Sequence, residues 1–197
     1  MATSSITITS NVRDVVADML DGARDLERAA VRALNKMADQ VKVQSAREIR
    51  NAGYTLKVSD IKSALQVKKA GIGNLTSAVV ARGRPIPLIK YGARATSKGV
   101  SVSVLNGRKV IVGAFIATMP SGHQGVYIRQ GDTRHKKVMK GGKASWHALP
   151  IKELFGPSVP DGLANKAVQD VLQQFIEQKF PDILEHESQW LRKKLGR

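Results

Sequence analysis

The chain has 197 residues, no cysteine, and 32 Lys and Arg against 16 Asp and Glu, a formal net charge of +16. A single domain of that length buries about 70% of its unfolded surface and needs no covalent staple. The missing cysteines exclude disulfides, thiolate zinc sites and cysteine nucleophiles.

No stretch approaches the roughly 18 apolar residues of a membrane span. The opening MATSSITITS lacks the basic start and apolar core of a signal peptide. A soluble protein folding in a reducing cytosol, with no membrane partner, is the expectation. Charge placement tells more than its sum. Residues 1–60 hold 9 basic and 8 acidic groups, residues 61–152 hold 17 and one, and residues 153–197 hold 6 and 7. The excess lies in the middle segment, where it must spread over surface or meet an acidic partner.

In chain order, residues 5–9 alternate polar and apolar and predict a short strand. Asn11 caps a short helical turn predicted to run to Leu20, and Gly22 interrupts it. From 23 to about 51 the period is helical: Leu26, Ala30, Leu34, Met37, Val41, Ser45 and Ile49 form one stripe. Arg24, Arg28, Arg32 and Lys36 form a basic row on roughly the opposite face, read as a solvated helix face or as a subunit interface with an acidic patch. Gly53 suits the left-handed helix cap. A short helix follows over 59–65, with Ser59 as N-cap and Val58 and Ile61 as core contacts.

Residues 75–82 have strand character, and Pro85 and Pro87 restrict the next stretch to an extended loop or edge. Val100, Val102 and Val104 alternate with serines as a half-buried strand. Asn106-Gly107 is a two-residue hairpin signal, after which residues 109–118 return antiparallel. Further strands are expected over 125–129 and 149–154, with a mobile Gly-rich loop over 130–145 between them. Leu163, Ala167, Val168, Val171, Leu172, Phe175 and Ile176 make a helical stripe. Phe180-Pro181 is expected to break it, Pro181 opening a last helix with Ile183, Leu184, Trp190, Leu191 and Leu195. The fold class is α+β: a long N-terminal helix and C-terminal helices packed against a central antiparallel sheet. One domain over 1–197 is expected, mostly helical over 1–66, β-rich and basic over 67–157, and helical over 158–197.

No catalytic motif emerges, and no enzyme activity, metal or cofactor is expected. His123, His135, His147 and His186 are isolated, none with a second histidine one turn away. Ser121, in MPSGH, lacks the glycines of a nucleophile elbow, and neither GIGNLTS nor GGKAS completes a phosphate loop. The basic middle supplies contact candidates instead: Arg84, Lys90, Arg94, Lys98, Arg108, Lys109, Arg129, Arg134, Lys136, Lys137, Lys140 and Lys143. These suit phosphate backbone or an acidic protein face. Few aromatics accompany them, and no base-reading module is present. Protein contact or loose lining of a DNA channel is therefore favoured over sequence-specific binding, with a basic nucleic-acid-binding protein as the alternative.

Four segments carry a resemblance: AVRALNKMADQVK (30–42), RPIPLIKYGA (84–93), GAFIATMPSGHQGVYIRQG (113–131) and LPIKELFGPSVP (149–160). In order and spacing the chain resembles the minor tail protein Z family of long-tailed bacteriophages and prophages. The resemblance implies a virion structural protein, made in the host bacterial cytoplasm, that completes the tail at its head-proximal end and joins head to tail. It implies other tail or neck proteins as partners (terminator, tube or connector), a homo-oligomeric ring, and non-specific contact with DNA in the channel. It brings no catalytic residues.

Overall fold

The computed structural model describes residues 2–9, 23–105, 107–131, 135–140 and 143–195. The helical turn expected over 11–20 lies outside them. The architecture is α+β. The chain divides into two compact units, a helical one of Met1–Ala52, Lys57–Arg84 and Ser158–Arg197, and a β-rich one of Gly53–Leu56 and Pro85–Pro157.

In the helical unit, α1 (Ala23–Asn51) forms where the stripe required it. Leu34, Met37, Val41 and Ile49 are fully buried, and Ala29, Ala33, Ala38 and Ala46 between them let neighbours pack close. Ser45 sits in this stripe without an orphaned hydroxyl, because it donates to the Val41 carbonyl one turn back, at 2.7 Å. Gly53, at φ 97°, follows the helix in the left-handed region. The next helix, α2 (Val58–Ala64), starts one residue earlier than expected. Lys57 occupies the cap position without a side-chain bond, and Ile61 is the buried anchor while Val58 is half-buried.

Strands β1 (Ala2–Thr9), β2 (Leu65–Lys68) and β3 (Thr76–Gly83) form an antiparallel sheet in the order β1-β3-β2. Ile6 opposes Val79 and Leu65 opposes Ala81, all four buried. Polar side chains pin this sheet region to α1. The Asn35 amide donates to the Ala70 carbonyl and accepts from the Ala70 N–H at 2.8 Å, and the Ser77 hydroxyl donates to the Leu34 carbonyl.

Near the C-terminus, α3 (Val159–Ala164) opens on a reciprocal capping box between Ser158 and Asp161. Then α4 (Lys166–Lys194) runs unbroken through Pro181, against the expected break. Proline removes the N–H that would bond the carbonyl at 177. Glu177 and Pro181 are both exposed, so water reaches that side of the helix. Burial of Leu172, Ile176, Leu184 and Leu191 continues across the proline and carries the helix through.

Among the described residues the β-rich unit holds four small antiparallel sheets rather than part of one central sheet. Its elements are β4 (Ile86–Pro87), a 3-10 turn at Leu88–Tyr91, β5 (Arg94–Thr96), β6 (Gly99–Ser103), β7 (Arg108–Val112), β8 (Phe115–Thr118), β9 (Gln124–Arg129), β10 (His135–Lys140), β11 (Lys143–Ala148), β12 (Ile151–Glu153) and β13 (Phe155–Gly156). The pairings are β13-β4, β5-β6-β7, β12-β9-β8 and β10-β11. Tyr91 is its largest fully buried side chain. Its hydroxyl donates to the Pro157 carbonyl at 2.5 Å. A Cβ at position 156 would stand 2.7 Å from the Tyr91 ring, so glycine is required there.

Three expectations change in this unit. Pairing of β6 with β7 ends at Ser103↔Arg108, so the connection spans four residues, 104–107, and not two. The return strand over 109–118 is two strands, parted at Gly113 (φ 75°): β7 pairs with β6, and β8 with β9. The loop expected over 130–145 instead gives way to two paired antiparallel strands, β10 and β11, which run on to Ala148 in register from His135↔Ala148 to Lys140↔Lys143.

Candidate docking surface

The cations singled out in the sequence have different fates. Arg84 belongs to the helical unit and is exposed. Lys90, on the 3-10 turn, Arg94, on β5, Lys98, before β6, and Lys109, on β7, are exposed in the β-rich unit. The β5-β6-β7 sheet thus collects Arg94, Arg108 and Lys109 on its strands and Lys98 at the connection between β5 and β6. Backbone positions of Lys136, Lys137 and Lys140 lie on β10 and that of Lys143 on β11, whereas Arg134 lies outside the described residues.

Arg108 and Arg129 are occupied within the chain. The Arg108 guanidinium donates to the Ser101 hydroxyl at 3.1 Å, the Ser101 carbonyl at 3.2 Å and the Gly92 carbonyl at 2.6 Å. A planar fork reaches three acceptors that a lysine ammonium would not span. Arg108 therefore clamps β7 to β6 and to the end of the 3-10 turn. The Arg129 guanidinium lies over the Phe115 ring, 5.1 Å from its centroid. Close by in sequence pairing, His123 Nε2 lies 2.8 Å from Glu153 Oε1. Burial pushes the Tyr127 phenol up, and the Glu153 carboxylate adds to the rise.

The basic row on α1 is not simply a wet face. Arg28 reaches Asp25 at 3.3 Å. Arg32 Nε donates to Glu187 Oε2 at 2.6 Å, and the Lys36 ammonium pairs with Glu187 Oε1. The Glu187 side chain is 1% exposed, while Arg32 and Lys36 are 43% and 50% exposed. Burial alone would raise the Glu187 carboxyl. Hydrogen bonds and charge from Lys36 and Arg32 outweigh it and hold the group below its ordinary value. Arg32 also stacks 4.0 Å from the Trp190 ring centroid, with the Lys194 ammonium at 5.1 Å. Lys36, Gln40, Lys179, Asp182, Ile183 and His186 line an open groove next to this cluster. Sequence reasoning missed Glu187. Its signal was a carboxylate set inside the stripe Leu184, Ser188, Leu191.

Among the described residues no group of three or more His, Cys, Asp or Glu is placed to hold a metal ion, and no helix is long and apolar enough to cross a membrane. The class defined is an α+β protein with a strongly cationic, β-rich unit whose arginines are partly spent on its own fold. Over residues 18–197 the chain matches the model of the prophage minor tail protein Z (GPZ) family, and it belongs to that family. No curated protein and no solved structure matches it.

Proposed function

We propose that this prophage minor tail protein completes the tail at its head-proximal end and takes part in head-tail joining, in a structural and not a catalytic role. The observation that carries the reading is the match to the minor tail family across nearly the whole chain. The charge distribution supports it. The β-rich unit holds 12 basic and 2 acidic residues, suited to acidic protein faces and to DNA passing a channel. Short strands with open edges suit assembly, because each edge is a template for another chain. Ring formation would place the same surface at every subunit boundary and must close by rotation.

Deletion of the coding sequence from an inducible prophage tests this. The reading expects filled heads and full-length tails that remain separate, and joining restored by adding purified protein to the lysate. Normal particle yield from the deletion contradicts it. A second reading, a nucleic-acid-binding protein, draws on the same excess charge. It requires log affinity for duplex DNA to fall steeply with log salt, by a slope of about −0.9 per phosphate contact.

A further inference from the structure

The edge of the β5-β6-β7 sheet at β7 is built to accept another strand. Gly113 N–H donates to the Lys98 carbonyl at 3.2 Å, and the same register continues through Val100↔Ile111 and Val102↔Lys109. Hydrogen-bonded and non-hydrogen-bonded pairs alternate in an antiparallel ladder. Lys109 and Ile111 therefore turn their main-chain groups toward β6, and Arg108, Val110 and Val112 turn theirs away from it. β7 is the terminal strand of its sheet.

Two of the three outward-turned residues, Val110 and Val112, carry apolar and uncovered side chains. Val110 is 48% exposed and Val112 72% exposed. Val112 stands opposite Gly99, which has no side chain to cover it. That gap is built in: a Cβ at position 99 would lie 2.0 Å from the Ile111 carbonyl oxygen, so only glycine fits. The opposite edge, β5, is three residues long and presents Arg94, Ala95 and Thr96, so it offers no comparable apolar pair. Edge strands are ordinarily guarded by charges set within them. Here Lys98 and the Arg108-Lys109 pair flank Val110, Ile111 and Val112 without interrupting them.

Charge selects the occupant. Lys98 and Lys109 are exposed and make no ion pair among the described residues. A second copy pairing its own β7 here would bring a unit of 12 basic and 2 acidic residues against an identical one, and like charges juxtaposed disfavour that pairing. We propose that β7 docks an extended, acidic segment of a partner protein by strand addition. The partner's main chain pairs with the outward groups of Val110 and Val112, its apolar side chains cover the two valines, and its carboxylates meet Lys98 and Lys109. The identification of that partner as a tail or neck protein rests on the function proposed above.

The test uses the full-length protein and two synthetic peptides, acetyl-EVTVEVE-amide and acetyl-KVTVKVK-amide, with amide hydrogen exchange read residue by residue. Saturable binding of the acidic peptide, weakened by salt, is expected, with exchange at the Val110 and Val112 amides slowed at least about tenfold. Val112→Pro removes an outward N–H that the ladder to β6 does not use, and is expected to weaken peptide binding by about tenfold or more. Lys109→Glu is expected to weaken the acidic peptide selectively. The proposal is overturned if neither peptide binds, if the lysine peptide binds equally well, or if protection appears elsewhere than β7. Protection of β7 that grows with protein concentration alone would assign the edge to a second copy and overturn it too. If Val112→Pro fails to fold, as judged by circular dichroism, the exchange map of the unaltered protein decides. A protein found in the tail whose β7 ignores both peptides loses this docking edge and keeps its proposed function.

Discussion

Arg32 and Glu187, 155 residues apart in sequence, meet at 2.6 Å, the guanidinium Nε donating to a carboxylate that is 1% exposed. With Lys36 on the second oxygen, this contact ties α1 to α4 by charge. Breaking a buried pair strands the partner charge, but both cations here are about half exposed and recover water. Glu187→Gln is therefore expected to cost about 1–3 kcal/mol, below the loss for a fully buried pair. Urea denaturation followed by helix circular dichroism measures it.

The same carboxylate sets an acid limit. Its folded-state value lies below the ordinary 4.5, so its contribution is fully present above 4.5 and is lost as pH falls through the lower folded value. The stability of the wild-type protein should drop across that acid window more than that of Glu187→Gln. Parallel denaturation curves at pH 7 and at successive acid steps show whether the two lines converge.

Gly99 governs the β6-β7 pairing. Gly99→Ala forces a Cβ into the Ile111 carbonyl, at a φ of 152°. The expected loss is about 2 kcal/mol or more, from steric clash and backbone strain together. Hydrogen exchange should localise the effect to β6 and β7 and leave α1 and α4 protected.

Arg108 is expected to resist conservative replacement. Arg108→Lys keeps the charge but cannot reach Ser101 and Gly92 together, so both Arg108→Lys and Arg108→Ala should destabilise the β-rich unit by about 1–2 kcal/mol. A thermal shift of similar size for the two variants supports the clamp. Full stability of Arg108→Lys argues against it.

Where local pattern decides the structure, the chain was readable. The stripe from Leu34 to Ile49 marks α1, alternation marks residues 5–9 of β1 but not its first three, and β-branching marks β3 to within one residue. Misreadings came where the deciding contact is remote or the segment short. Leu65 to Lys68 is too brief to show a period, yet pairing with β3 makes it a strand. Pro181 is a local helix breaker, overruled by the core contacts of Leu184 and Leu191. The helix α3 lies within the region expected to be helical, 158–197, but the break at Asn165 between α3 and α4 is not visible as a gap in the apolar stripe, and the Ser158-Asp161 capping box shows its cap only once the two residues are seen to bond. Composition made the cations visible. It did not separate Arg108, spent on carbonyls, from Lys109, left exposed, since that division depends on sheet register.

The position of this protein in the particle is the property on which its proposed role depends most directly. Gold-labelled antibody against an epitope-tagged copy, imaged on purified phage by electron microscopy, answers it. Label at the head-tail junction, one cluster per particle, is the predicted result. Label at the distal tip, along the tube, or absent from intact particles contradicts it.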